Sequence, residues 1–231
     1  MNPSKRHRLW RKAAVWGAVA FGLAGSVLAI AALSHPSGPS GSRAQAALPV
    51  DTAAPRDWRR GAGKAEVVLI EYGDYQCAPC ALYHQMIEQA MGEYGTRITL
   101  VYRHFPLRGI HPHAELAART AEAAGRQGRY WEMHNLLYRR QYEWTNARDA
   151  RAVFEIYARL LGLDRPRFAA DLEDPTLGSK VEQDYQSGVR AQVDGTPTLF
   201  VQGRKALFAA SYAELRKLLE EALGHADNAG L

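Results

Sequence analysis

Both cysteines of the 231-residue chain fall in one motif, Cys77-Ala78-Pro79-Cys80. A thiolate is both a nucleophile and a metal ligand, so the pair admits several chemistries. A structural disulfide here would close a very small loop, where the entropic gain is at its smallest. A metal site needs more ligands. His84, four residues beyond Cys80, can face the same way, but no fourth ligand is evident. A c-type haem requires histidine directly after the second cysteine, and Ala81 stands there. The remaining chemistry is a redox-active dithiol, in which Cys77 and Cys80 cycle between disulfide and thiols.

The flanking pattern says how such a pair would be positioned. Lys64–Tyr72 has a continuous apolar centre, Val67–Ile70, as a strand buried on both faces would. Cys80–Tyr94 carries Leu82, Met86, Ile87, Ala90 and Met91 at helical spacing, and Gly95 follows as a C-cap. Cys77 therefore lies near a helix N-terminus, where unpaired N–H groups and the macrodipole favour an anion. A thiolate there is populated at neutral pH. Cys80, one turn on, faces the same side. Pro79 fits a first turn, where its missing N–H costs nothing. A CxxC between strand and helix favours the redox-active dithiol over the other readings.

Arg97–Tyr102 reads as a second strand, parallel to the first across a right-handed crossover. Helical patterns follow at about 113–125, 129–142, 147–162, 166–173 and 177–191. Thr198–Val201 and Lys205–Phe208 flank Gln202-Gly203-Arg204, a hairpin signal. Ser211, with Glu214 at the capping-box position, starts a last helix expected to end near Gly224. The fold class is α/β: a βαβ half, an inserted helical block at about 108–175, and a ββα half within one domain over 56–225, with 226–231 as a tail.

The N-terminus points to a membrane. Residues 13–33 form an uncharged run of 21 residues, long enough at 1.5 Å per residue to span a hydrocarbon core of about 30 Å. Lys5, Arg6, Arg8, Arg11 and Lys12 precede it with no acid among residues 1–12. Such a tail stays cytoplasmic, and the chain beyond the apolar run is exported. The length of the run favours an uncleaved single-pass anchor over a cleavable signal, although Ala44-Gln45-Ala46 offers a cleavage pattern. Residues 34–55, rich in Pro, Ser, Gly and Ala, read as a flexible tether. The basic tail also accounts for the net charge of +5, because the rest of the chain holds 24 basic and 24 acidic residues. A nucleic-acid-binding domain is therefore excluded.

The chain resembles the DsbA-like thiol:disulfide oxidoreductases of the thioredoxin fold. The segments that carry the resemblance are Val68–Cys77, Arg103–Leu107, His111–Ala114, Tyr130–His134 and Gly195–Thr198, in order over roughly 56–224. The resemblance implies that Cys77 is the exposed nucleophile and Cys80 the resolving thiol. It implies that Pro197 is a cis-proline opposite the CxxC, with the backbone at Thr196 pairing with an extended substrate, as in strand addition. Glu71, six residues before Cys77, matches a strand glutamate under the site that could relay a proton to Cys80; its ordinary reading is a strand-end carboxylate. Exported proteins would be the substrates, oxidised by exchange, and a membrane-bound quinone-linked reoxidant the partner. One departure bears on direction: Pro79 stands where the strongly oxidising prototype has histidine, so no side-chain cation lies between the thiols. A tethered reductase is the alternative, and a tethered chaperone or metal-binding module with a structural CxxC is the alternative of another class. No separate dimerisation domain is evident, which argues against a V-shaped dimeric isomerase, and a monomer is expected.

Other polar residues take plainer readings. His104, His111, His113 and His134 lack ligand spacing, and His111-Pro112-His113 reads as a loop and helix start. Trp131, Tyr138, Tyr142 and Trp144 read as packing residues of the helical block. Gly73 and Gly195 read as backbone positions, and with no Gly-rich phosphate loop no cofactor is implied.

Overall fold

The computed structural model describes residues 54 and 56–229. The basic tail at 1–12, the apolar run at 13–33 and most of the 34–55 tether lie outside the described residues. Among the described residues no helix is long and apolar enough to cross a membrane.

Five strands, β1 (Trp58–Gly61), β2 (Val67–Gly73), β3 (Ile98–His104), β4 (Thr198–Val201) and β5 (Arg204–Lys205), form one sheet in the order β1-β3-β2-β4-β5. β2 and β3 are parallel, and the other pairs are antiparallel. The parallel pair is joined through α1 (Ala78–Tyr94), as the strand–helix–strand pattern requires. Central β2 alternates between two covered faces. Val67 and Leu69 pack with Tyr83 and Ile87 of α1 and with Leu215, Leu219 and Leu223 of α8 (Tyr212–Ala229). Ile70 and Tyr72 point the other way, against Phe105, Phe200 and Val193. Glu71 falls on the α1 face, opposite Tyr102 of β3 and Leu199 of β4.

The helical block comprises α2 (Ala114–Gly125), α3 (Tyr130–Arg139), α4 (Gln141–Trp144), α5 (Ala150–Leu160), α6 (Arg165–Glu173) and α7 (Pro175–Arg190). Its core joins Ala117, Ala121 and Ala124 to Trp144, Phe154, Tyr157 and Phe168, and it reaches Cys80 and Tyr102. Asp149, Asp164 and Asp174 cap α5, α6 and α7 with carboxylates that accept from the exposed first-turn amides.

Several expectations shift in detail. β1 has no forecast counterpart: Trp-Arg-Arg-Gly shows no apolar alternation, and the strand is defined by its pairing with β3. β2 begins at Val67, not Lys64. The pattern at 129–142 divides into α3 and α4. Of Lys205–Phe208 only Lys205 lies in β5, which takes in Arg204 from the expected turn, and Leu207 and Phe208 are 88% and 62% exposed. Gln202 and Gly203 both have positive φ (50° and 75°), the conformation of a tight two-residue hairpin. α8 runs past Gly224 to Ala229, so four residues expected in the tail are helical; Asp227 accepts from Arg97 there. Tyr142, read as packing, is 80% exposed.

Candidate active site

Cys77 is the residue before the first turn of α1, with extended backbone (φ −72°, ψ 118°), and Ala78-Pro79 begin the helix. No side chain caps this end, and the Cys80 N–H donates to the Cys77 sulfur. Both cysteines are thiols, the reduced state of the pair. Cys80 is fully buried. Cys77 is only 5% exposed, less open than the resemblance implies, because the 195–198 loop lies over it. Its Sγ donates to the Thr196 carbonyl at 3.3 Å.

The two thiols differ sharply in acidity. The Cys80 thiol, hydrogen-bonded to the Cys77 sulfur, is the main reason Cys77 is pushed down to about 6; burial opposes this, and the Thr196 side chain assists it. Burial drives Cys80 well above its ordinary value, and the neighbouring Cys77 sulfur adds to the rise. One sulfur is thus an anion at neutral pH while the other keeps its proton.

The Thr196–Pro197 peptide is cis. Thr198, the first residue of β4, pairs with Tyr72 of β2, and this register sets Pro197 beside the Cys77 loop. A groove of about 480 Å³ runs from Pro79 and Tyr83 past Thr196 and Pro197 to Ala206 and Phe208. Phe208, which lines it, is 62% exposed, apolar surface that a folded domain ordinarily covers.

Glu71 sits beneath the pair, 1% exposed, its Oε1 without a hydrogen-bond partner. Burial is the first cause that raises its carboxyl to about 8; Arg60 pulls it down, and Glu88 and Cys77 push it further up.

The structure also gathers residues that sequence reasoning set aside. Asp74 accepts from the Gln76 and Leu107 amides and pairs with His111 Nδ1 at 2.7 Å. The Gln76 amide donates to Thr145 O, and its carbonyl accepts from His113 N. Gln141 Nε2 donates to the carbonyls of Tyr75 (2.7 Å) and Cys77 (3.0 Å). The loop before Cys77 is thereby tied both to the segment leading into α2 and to α4 and the residue after it. Under Cys80, His84 stacks on Tyr138 and meets His134 edge-on, and His134 shares a hydrogen bond with the Tyr75 hydroxyl. Burial pushes His84 down to about 4 and His134 further, so both are neutral. Asp74 and Gln76 directly before the motif, and Cys80, His84 and Glu88 at a spacing of four, were the signals available for these residues.

Among the described residues, one set of metal-capable side chains comes together: His104, Glu122 and Asp184. Their atoms are already engaged. Glu122 accepts from Trp58 and pairs with His104 at 2.9 Å, and Asp184 holds Lys180 at 2.5 Å. The set is an internal polar network, with a lysine ammonium where a cation would go.

Residues 53–221 match the family described as Thioredoxin. The chain is 39% identical over 158 residues to a Na(+)/H(+) antiporter NhaA 3 from Salinispora tropica, and 38% identical over 149 residues to a Na(+)/H(+) antiporter NhaA from Herminiimonas arsenicoxydans. The matches cover 68% and 64% of this chain but 23% of each relative, so the chain spans about a quarter of the proteins that carry that name. Among solved structures, alpha-DsbA1 from Wolbachia pipientis superposes with a TM-score of 0.70 at 19% identity, covering 78% of this chain and 96% of that one. Oxidised BdbD from Bacillus subtilis gives 0.64 at 20% identity, covering 72% and 92%. A thioredoxin-like oxidoreductase from Silicibacter pomeroyi gives 0.63 at 23%, covering 74% and 94%. These likenesses are of fold, and they include the inserted helices as well as the sheet.

Proposed function

The chain belongs to the thioredoxin family and has the DsbA-like form of its fold; on that premise we propose that it is an extracytoplasmic thiol:disulfide oxidoreductase that oxidises dithiols of exported proteins. The observation that carries the proposal is the asymmetry of the pair. Cys77, at the start of α1 and hydrogen-bonded by the Cys80 thiol, is held near 6, while buried Cys80 stays protonated.

The chemistry is two exchanges. A substrate thiolate attacks Cys77 Sγ of the Cys77–Cys80 disulfide. A substrate–Cys77 bond forms, the Cys77–Cys80 bond breaks, and Cys80 leaves with the electron pair. Glu71, buried and raised to about 8, supplies the proton that Cys80 then holds. A second substrate thiolate attacks the substrate sulfur of the mixed disulfide, and Cys77 leaves as the stabilised thiolate. Two substrate thiols become a disulfide, and two electrons reside on the enzyme until a membrane-bound oxidant, such as a quinone-linked one, removes them.

The substrate backbone would pair at Thr196, in the groove between Pro79 and Phe208. The basic tail and apolar run at residues 1–33 would anchor the domain on the outer side of a membrane, on the tether at 34–55. A stabilised Cys77 thiolate favours the reduced enzyme and therefore an oxidising couple. The opposite direction, a tethered reductase, has Pro79 in its favour: the depression of Cys77 comes from neutral hydrogen bonds and no side-chain cation.

Equilibration of the protein in glutathione buffers, with the thiol state followed by alkylation and mass shift, separates the two. An oxidase is half-reduced within the glutathione range or more easily still. A Cys77–Cys80 disulfide that yields only to strong reductant would overturn the oxidising assignment.

A further inference from the structure

Glu71 is a buried carboxyl with an unpartnered oxygen, and something must decide its charge. The residues around it are mostly neutral at physiological pH. Cys80, Tyr83 and His84 come from α1, Tyr102 from β3 and Tyr138 from α3, and burial opposes the charged form of each. β4 contributes Leu199. The formal charges nearby are Cys77 itself and a group at the far end of the same face. β1 pairs Trp58 with Tyr102 and Arg60 with Leu100, so Arg60 projects to the α1 face, two residues along from the Trp58–Tyr102–Glu71 row. Its guanidinium lies 5.0 Å from the centroid of Trp131, its Nε is buried without a partner, and its Nη2 is ion-paired with Glu88. Glu88 is the third member of the Cys80–His84–Glu88 stripe on α1, and Arg139 at the end of α3 reaches it at 4.0 Å. Both members of the Arg60–Glu88 pair are about one-quarter exposed, at the outer end of the pocket.

We propose that the Arg60–Glu88 pair tunes the charge of Glu71 against its burial, with Arg60 drawing it toward carboxylate and Glu88 restraining that pull. The pair acts through Glu71 and touches neither sulfur, so both are positioning residues. The inference deepens the relay assigned above and rests on Glu71 serving Cys80. Its electrostatics agree in sign: Arg60 lowers the Glu71 carboxyl and Glu88 raises it. An open edge strand thus supplies the cation for a carboxyl two strands away, across a face where Cys77 and Glu88 are the other charges.

A structural salt bridge and a charge-setting pair make different predictions. Breaking a structural bridge from either side does the same damage. Removing a charge-setting pair from opposite sides moves Glu71 in opposite directions. The experiment titrates the Glu71 carboxyl in the reduced full chain by infrared difference spectroscopy, assigned by its loss in Glu71→Gln. Arg60→Gln is expected to raise the Glu71 midpoint by about a unit and Glu88→Gln to lower it by a similar amount, while Arg60→Lys, which keeps the charge, leaves it near that of the unchanged protein. Midpoints that move in the same direction, or stay still, in both charge-removing variants overturn the proposal. A separate readout tests the relay: the pH profile of release of a small leaving thiol from a Cys77 mixed disulfide. If Glu71→Gln leaves that profile unchanged while Arg60 and Glu88 still move the carboxyl, the relay fails and the charge-setting pair stands.

Discussion

At the scale of single residues, the reactivity of Cys77 comes from neighbours that are themselves uncharged. The Cys80 thiol is the largest contributor, ahead of the Thr196 contact, so the nucleophile's acidity is a property of the pair. Alkylation of the reduced protein should therefore rise with pH through a midpoint near 6, because only the thiolate reacts. Cys80→Ala removes the main donor, and its midpoint should climb well toward the ordinary thiol value of 9; Cys80→Ser, which keeps a donor, should fall between. Stopped-flow alkylation across pH 4 to 10 decides this, and a midpoint unmoved in Cys80→Ala would assign the depression to the helix end alone. The same shift bears on stability. The folded thiol titrates near 6 and an unfolded one near 9, so between those values the unfolded chain binds more protons. The stabilisation from this group is complete above 9 and is lost as pH falls through 6.

At the scale of elements, what was legible in the sequence is what local pattern encodes. The run Val67–Ile70 and the spacing after Cys80 identify β2 and α1, and Gln202-Gly203 identifies the hairpin. β1 was not legible. Two of its four residues are arginines, and it is a strand only because Trp58–Gly61 pairs with Tyr102–Thr99. The same holds within the site. Cys77 and Cys80 announce themselves by spacing, whereas Asp74, Gln76, Gln141 and Arg60 matter through partners distant in sequence, 66 residues for Gln141 and Tyr75 and 69 for Gln76 and Thr145. α4 shows the consequence. Four residues would be a poor helix alone, yet Gln141 at its start holds the carbonyls of Tyr75 and Cys77, and Trp144 at its end is fully buried. Gln141→Leu leaves the Tyr75 carbonyl without that donor. The cost should be about 1–3 kcal/mol in unfolding free energy, and because the Cys77 loop loosens, the alkylation midpoint should shift as well. Denaturant titration and the same alkylation assay on one sample check both. A stability loss with an unmoved midpoint would make α4 a packing element without influence on the thiol.

At the scale of the whole molecule, the charge distribution separates two parts with different tasks. The first 12 residues hold all the excess positive charge, and the remainder is formally neutral. The described domain carries the sheet, the helical block and both cysteines, with its own apolar cores. Phe208, which lines the groove beside Pro197, is 62% exposed, an apolar surface consistent with the proposed unfolded substrate. The proposed placement on the outer side of a membrane rests on the charge and the apolar run of the sequence, and it makes a sharp prediction. In intact cells, Cys77 should become labelled by a membrane-impermeant maleimide once an impermeant phosphine has reduced the pair. A Cys77→Ser control should lose that labelling, since Cys80 is fully buried. Replacement of Lys5, Arg6, Arg8, Arg11 and Lys12 by neutral residues removes the topogenic charge, so the fraction labelled from outside should fall while the total thiol after lysis stays the same. Labelling that appears only after lysis in the unchanged protein would put the domain on the other side, where a glutathione-reducing environment would keep the pair as thiols and leave an oxidase without its oxidised form.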